Sequence, residues 1–237
     1  MIIENSREIV KTSLFNSPIS RLLIASALPV AMLFARILYT GRITYGFLVW
    51  NLFLAWLPLI FAYFTLRSYP HRRLTALLFA VSWLLFLPNA PYLVTDLMHL
   101  HNSGGNLVLY DVVMLFTLAL CGLMLGAVSL RWMELAVAQR LGLWSGRIFV
   151  LLVLGMSGFG IYLGRFLRWN SWDLITNPLS LLQDISPHLL HPVEYWRTWA
   201  MTLLFALSLT FVYWLLTSVP QLDLNEPGDE IEAVFNG

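Results

Sequence analysis

The chain has 237 residues, of which 59% are hydrophobic and only 11% charged, against the roughly one quarter charged of a soluble globular domain. A water-soluble fold of this length is excluded on that ground, and a formal net charge of +1 gives no clustered positive field for nucleic acid. The single cysteine, Cys121, permits neither a disulfide framework nor a thiolate metal cluster within one chain.

A bilayer core of about 30 Å takes about 20 mostly apolar helical residues per crossing. Six stretches meet that demand: 21–39, 44–66, 74–93, 107–130, 147–167 and 199–219. The first, from Leu22 to Tyr39, is long for an export-signal core and contains Pro29 and Arg36, so it reads as an anchor. Pro29, Pro58 and Pro88 fall inside or near the ends of spans and read as kinks, which membrane helices tolerate. The expected fold class is all-α, a polytopic membrane protein with short interfacial helices in its outer loops. It divides into an N-terminal segment 1–20, one six-helix domain 21–219 and an acidic, disordered tail 220–237.

Orientation follows from the Lys and Arg residues of the short connections, which cells retain in excess on the cytoplasmic side. Arg7, Lys11, Arg21, Arg67, Arg72, Arg73, Arg131, Arg140 and Arg147 fall on one side; Arg36, Arg42, Arg165, Arg168 and Arg197 fall on the other. That nine-to-five split predicts cytoplasmic termini and two outer connections long enough to hold structure, 94–106 and 168–198. Trp169, Trp172, Trp196 and Trp199 flank the second, as amphipathic rings do at a headgroup layer.

Polar chemistry collects at that outer face. The stretch Leu87-Pro88-Asn89-Ala90-Pro91-Tyr92 carries two prolines, each of which removes a donor and restricts the residue before it, so the third span breaks there. Asn89 is placed to satisfy the freed backbone. Beyond the break Leu93, Leu97 and Leu100 repeat at helical spacing, leaving Thr95, Asp96 and His99 on the other face of a short interfacial helix. His101 falls on the apolar side.

The fourth span opens with Tyr110-Asp111, and an intramembrane carboxylate is a site hypothesis that requires a partner. Arg165 and Arg168, at similar depth on the fifth span, are the expected partners, while Arg36 is expected to pair with a neighbour or snorkel to the headgroups. Gly160 with Gly164, and Gly122 with Gly126, form small-residue stripes that let backbones approach.

The pairing of Pro-Asn-Ala-Pro-Tyr-x-x-Thr-Asp-Leu-x-His-Leu with a later Gly-Arg-Phe-x-Arg-Trp-Asn-Ser-Trp-Asp resembles the bacterial membrane family catalogued as domain-of-unknown-function family 1361. The resemblance covers the chain from the second span to the sixth. It implies a multi-pass protein of a bacterial plasma membrane and leaves the activity open.

The candidate catalytic residues are Asp96, His99 and Asp111, for acid/base work or, in the case of Asp96 and His99, as ligands of a divalent metal cofactor. The bland alternative for that pair is a capping Asp and an interfacial His bonded to backbone. His188 and His191 would complete a metal site only by joining His99. Candidate substrate-binding residues are Asn89, Tyr92, Arg165, Arg168, Trp169, Asn170, Trp172 and Asp173, with the two arginines suited to an anionic lipid headgroup or envelope precursor. Three functions fit: an outer-leaflet lipid or envelope-precursor enzyme, a scaffold whose polar cluster locks helix ends, or a transporter. No serine or cysteine nucleophile signature and no phosphate loop is present.

Overall fold

The computed structural model describes residues 18–69, 71–102 and 107–218. Most of the 1–20 segment and all of the 220–237 tail therefore lie outside the described residues. The protein is an all-α polytopic membrane protein, with six helical stretches long and apolar enough to cross a bilayer. In chain order the elements are α1 (Pro18–Thr40), α2 (Phe47–Ser68), α3 (Arg73–Phe86), α4 (Asn89–Tyr92), a 3-10 segment (Leu93–Asn102), α5 (Val108–Leu141), α6 (Leu143–Phe166), α7 (Asp173–Thr176), α8 (Pro178–Leu190) and α9 (Trp196–Ser218). Large side chains such as Leu23, Phe34, Leu151, Leu207 and Phe211 stay exposed on the outside of the bundle, where hydrocarbon solvates them.

Hydropathy located the spans but not their ends. Pro29 and Pro58 sit inside continuous helices and end neither of them. Pro88 does not: α3 stops at Phe86 instead of running to 93, and the chain continues as one α turn followed by ten residues of 3-10 helix. The physical reason is donor loss, since neither Pro88 nor Pro91 can bond the carbonyl four residues back. At the other extreme α5 runs to Leu141 rather than 130, so the expected connection after the fourth span is mostly helix. It reverses into α6 at Gly142, whose φ of +91° is open to glycine at no steric cost. Near that end Tyr213 donates to Glu134 at 2.5 Å, and Arg131 meets the same carboxylate oxygen at 2.6 Å.

The broken segment is the packing centre. A Cβ built on Gly122 would collide with the Ala90 carbonyl oxygen, and one on Gly160 would lie 2.6 Å from the Pro88 ring. Gly126 faces Ala90 and Gly164 faces the Tyr92 ring in the same way. Both glycine stripes thus bring α5 and α6 against opposite sides of residues 88–92, which explains why small residues are needed on two helices at once. One apolar core lies between α1, α2, α5 and this segment; a second joins α3, α5, α6 and α9.

Candidate functional site

Where α3 ends, its last carbonyls lack helical donors, and side chains collect two of them. Asn89 Nδ2 donates to Phe86 O at 2.9 Å and to Ser171 Oγ at 3.0 Å, while Ser171 Oγ donates to Leu85 O at 2.9 Å. The two sequence segments that stood out separately are therefore one hydrogen-bonded unit. Asn89 serves backbone, as its position suggests, and Ser171 is its partner.

Within the 3-10 segment, residues three apart eclipse, so Asp96 and His99 share a face. His99 Nε2 lies 4.0 Å from Asp96 Oδ1. The Asp96 side chain is buried, and its Oδ2 accepts a hydrogen bond from Asn51 Nδ2 at 2.9 Å. Its Oδ1 is buried without a hydrogen bond, 3.8 Å from Arg165 Nη1. That guanidinium also donates to Thr95 O at 2.5 Å and to Tyr92 Oη at 3.4 Å, and sits 3.5 Å from His99 Nε2. Tyr45, fully buried, donates to His99 O at 3.1 Å. Asn51 is the residue that sequence reasoning missed. Its signal was present: a lone amide in an otherwise apolar span, which must face the bundle interior.

Asp96, His99 and Arg165 form the polar end of a cavity of about 720 Å³ that also takes in Asn51, Asn89, Tyr92, Trp169, Asn170 and Ser171. Its remaining walls are apolar, from Leu84 and Leu85 of α3 to Met156, Phe159 and Leu163 of α6. An acid, an imidazole and a guanidinium converging on one volume supply a proton donor–acceptor pair and a cation for developing negative charge.

The other expected members lie elsewhere. Asp111 does not line the cavity and pairs with neither Arg165 nor Arg168; Arg36 of α1 holds it, with Nε 2.6 Å from Oδ1 and Nη2 3.0 Å from Oδ2. Depth along the bundle allowed all three arginines, and helix rotation selected Arg36. Asp173 accepts from the Asn170 backbone and side chain at 2.7 and 3.2 Å and so closes the turn into α7. Trp172 packs edge-on against Trp50, 6.1 Å between ring centroids, outside the cavity lining. Trp169 lines the cavity while its Nε1 donates to Asp184.

Arg168 is exposed and absent from the lining, and among the described residues it is the one non-glycine with positive φ, at +60°. It serves the reversal after α6, where Trp169 N–H bonds Leu163 O at 3.1 Å. A left-handed conformation costs a residue with Cβ about 1–2 kcal/mol. Arg168→Gly is therefore expected to leave thermal stability in detergent unchanged or to raise it by up to about 1 kcal/mol, whereas Arg168→Val should lower it. A loss of stability in the glycine variant would show that the guanidinium itself holds structure.

The donor set does not fit a resident divalent ion at Asp96 and His99. Arg165 Nη1, 3.8 Å from Oδ1 and 3.5 Å from Nε2, occupies the position a third ligand would need and brings a positive charge to it. His188 cannot join them: its Nδ1 is 2.6 Å from Thr198 Oγ1, and no group of three His, Cys, Asp or Glu residues with metal-binding geometry occurs among the described residues.

No curated protein and no solved structure is significantly similar to the chain. A family model described as "Protein of unknown function (DUF1361)" matches residues 50–215, which include Asn51, the broken segment, Arg165 and Ser171. With that match spanning well over half of its length and both hydrogen-bonded segments inside it, the chain belongs to the DUF1361 family.

Proposed function

We propose that this protein is an enzyme that acts on a lipid or envelope precursor in the outer leaflet of a bacterial plasma membrane. The observation that carries the reading is Asp96 Oδ1: a buried carboxylate oxygen without a hydrogen bond, beside His99 and Arg165, at the polar end of an otherwise apolar cavity. An unmade hydrogen bond at a buried polar atom costs about 1–3 kcal/mol. The Ser157 and Thr202 hydroxyls are also buried without one, and the Asp96 oxygen is set apart from them by its charge and by its place beside an imidazole and a guanidinium. A catalytic cluster holds such an oxygen ready for a substrate proton. Asp96 and His99 then exchange a proton with the substrate, Arg165 stabilises negative charge on its headgroup, and Asn51 fixes the carboxylate. The excess of Lys and Arg on the opposite set of connections supports an extracytoplasmic site with cytoplasmic termini.

A scaffold is the second reading, favoured by the number of side-chain bonds spent on backbone: Asn89 to Phe86, Ser171 to Leu85 and Arg165 to Thr95. Substitution separates the two. Asp96→Asn and His99→Ala should lower activity by about 10²–10⁴-fold, read as accumulation of one lipid species by mass spectrometry of cells, with melting temperatures near that of the parent. Full complementation of a deletion strain by both variants would leave the scaffold.

A further inference from the structure

The shape and charge of the cavity point further, to the class of amphiphile it takes, an inference that rests on the proposal above. Along α6 the lining runs from Arg165 through Leu163, Phe159 and Met156 to Gly155. Ten residues at 1.5 Å per residue give about 15 Å, half of a hydrocarbon core of about 30 Å. The cavity therefore extends from the polar cluster to about the middle of the bilayer. At its far end Gly155 is open: a Cβ built there would meet no atom within 4 Å. Met156, 55% exposed, and Trp50, 52% exposed, border the cavity on the lipid side, so it is entered sideways from the membrane. A volume of about 720 Å³ is within the range of sites that enclose one small ligand.

The charges at the polar end are equally restrictive. Among the described residues its lining holds one guanidinium, Arg165, and one carboxylate, Asp96, 3.8 Å apart. A single guanidinium compensates one anionic group, and a diphosphate would leave charge without a partner. We infer that the cavity takes one hydrocarbon chain of a lipid, seated along α6 as far as Gly155, whose headgroup carries a single anionic group that takes Arg165 in competition with Asp96. A phosphodiester and a carboxylate share that chemistry. The buried, hydrogen-bond-free Asp96 Oδ1 is the point at which the ligand's anion and the protein's own carboxylate compete for the same cation.

Two variants test this by binding rather than turnover. The probes are dioleoyl phosphatidylglycerol, oleate and dioleoyl phosphatidylcholine, titrated against the full chain in mild detergent and read by native mass spectrometry. Asp96→Asn keeps the side-chain shape and removes the competing charge, so an anionic probe should bind on the order of tenfold tighter, with phosphatidylcholine unchanged. Gly155→Trp fills the far end and should abolish tight binding of the anionic probes, leaving the melting temperature in place. The response of oleate against phosphatidylglycerol tells which anion is preferred.

Equal affinity for all three probes, or no gain in Asp96→Asn, would show adventitious lipid only and overturn the inference. Retention of lipid by a folded Gly155→Trp protein would overturn the seating of the chain. Should Gly155→Trp fail to fold, the Asp96→Asn titration decides alone. If both variants bind as expected while Asp96→Asn still complements a deletion strain, the inference stands and the enzyme reading falls.

Discussion

Replacing Asp111 with leucine is expected to destabilise the protein by about 3–5 kcal/mol, the usual consequence of leaving one member of a buried ion pair without its partner. Arg36 is 6% exposed and Asp111 not at all, and the guanidinium approaches both carboxylate oxygens. Arg36 also lies 4.5 Å from the centre of the Tyr45 ring, so the pair fixes α1 against α5 beside the connection that carries Tyr45. Loss of one charge would leave the other buried and drag this corner with it. Replacing both residues with leucine should recover most of the loss, since an apolar pair of similar volume is often neutral or better. Arg165→Leu in the Asp111→Leu background should recover nothing, because Arg165 is engaged with Thr95, Tyr92 and Asp96. Thermal unfolding in detergent of the single and double variants reads all of these outcomes. Rescue by Arg165→Leu instead of Arg36→Leu would refute the pairing.

The second large effect concerns the clamp on residues 88–92. Gly122→Ala places a methyl group on the Ala90 carbonyl oxygen and 2.7 Å from Leu93 Cδ1; the leucine methyl can rotate away, but the carbonyl is backbone and cannot move without displacing the broken segment. Overpacking of this kind costs about 1–3 kcal/mol, occasionally more, and it outweighs the gain of up to about 1 kcal/mol that alanine brings to a helix interior. Gly160→Ala, against the Pro88 ring, should behave alike. Gly155→Ala supplies the contrast, because nothing lies within 4 Å of its new methyl group. Its stability should match or exceed that of the parent. Equal melting temperatures for Gly122→Ala and Gly155→Ala would mean that α5 and the broken segment are not in close contact. A loss of stability in Gly122→Ala accompanied by loss of lipid binding would further tie the position of Asp96 to this clamp, since Leu93 opens the 3-10 segment that carries it.

Features that depend on one stretch of chain were legible without the structure. Twenty apolar residues declare a span because the bilayer imposes a length, and two prolines declare a break because each deletes a donor. Asp96 and His99 share a face because a spacing of three residues does so in either kind of helix. The family resemblance rested on segments of the same local kind, and the family model confirms it. What the sequence left open is every choice among helices. Arg36 and Asp111 are 75 residues apart, Asn51 and Asp96 are 45, and Asn89 and Ser171 are 82. Hydropathy gives the depth of each side chain but not the rotation of its helix about its own axis or the identity of its neighbour. Depth alone therefore allowed Arg165 for Asp111; the packing of α1 against α5, together with the seating of the α5 and α6 glycines on Pro88, Ala90 and Tyr92, decided otherwise. That packing turns Asp96 toward Asn51 and Arg165 and leaves Asp111 to Arg36, so the polar residues separate into a buried lock and a cavity where one carboxylate oxygen remains free of hydrogen bonds.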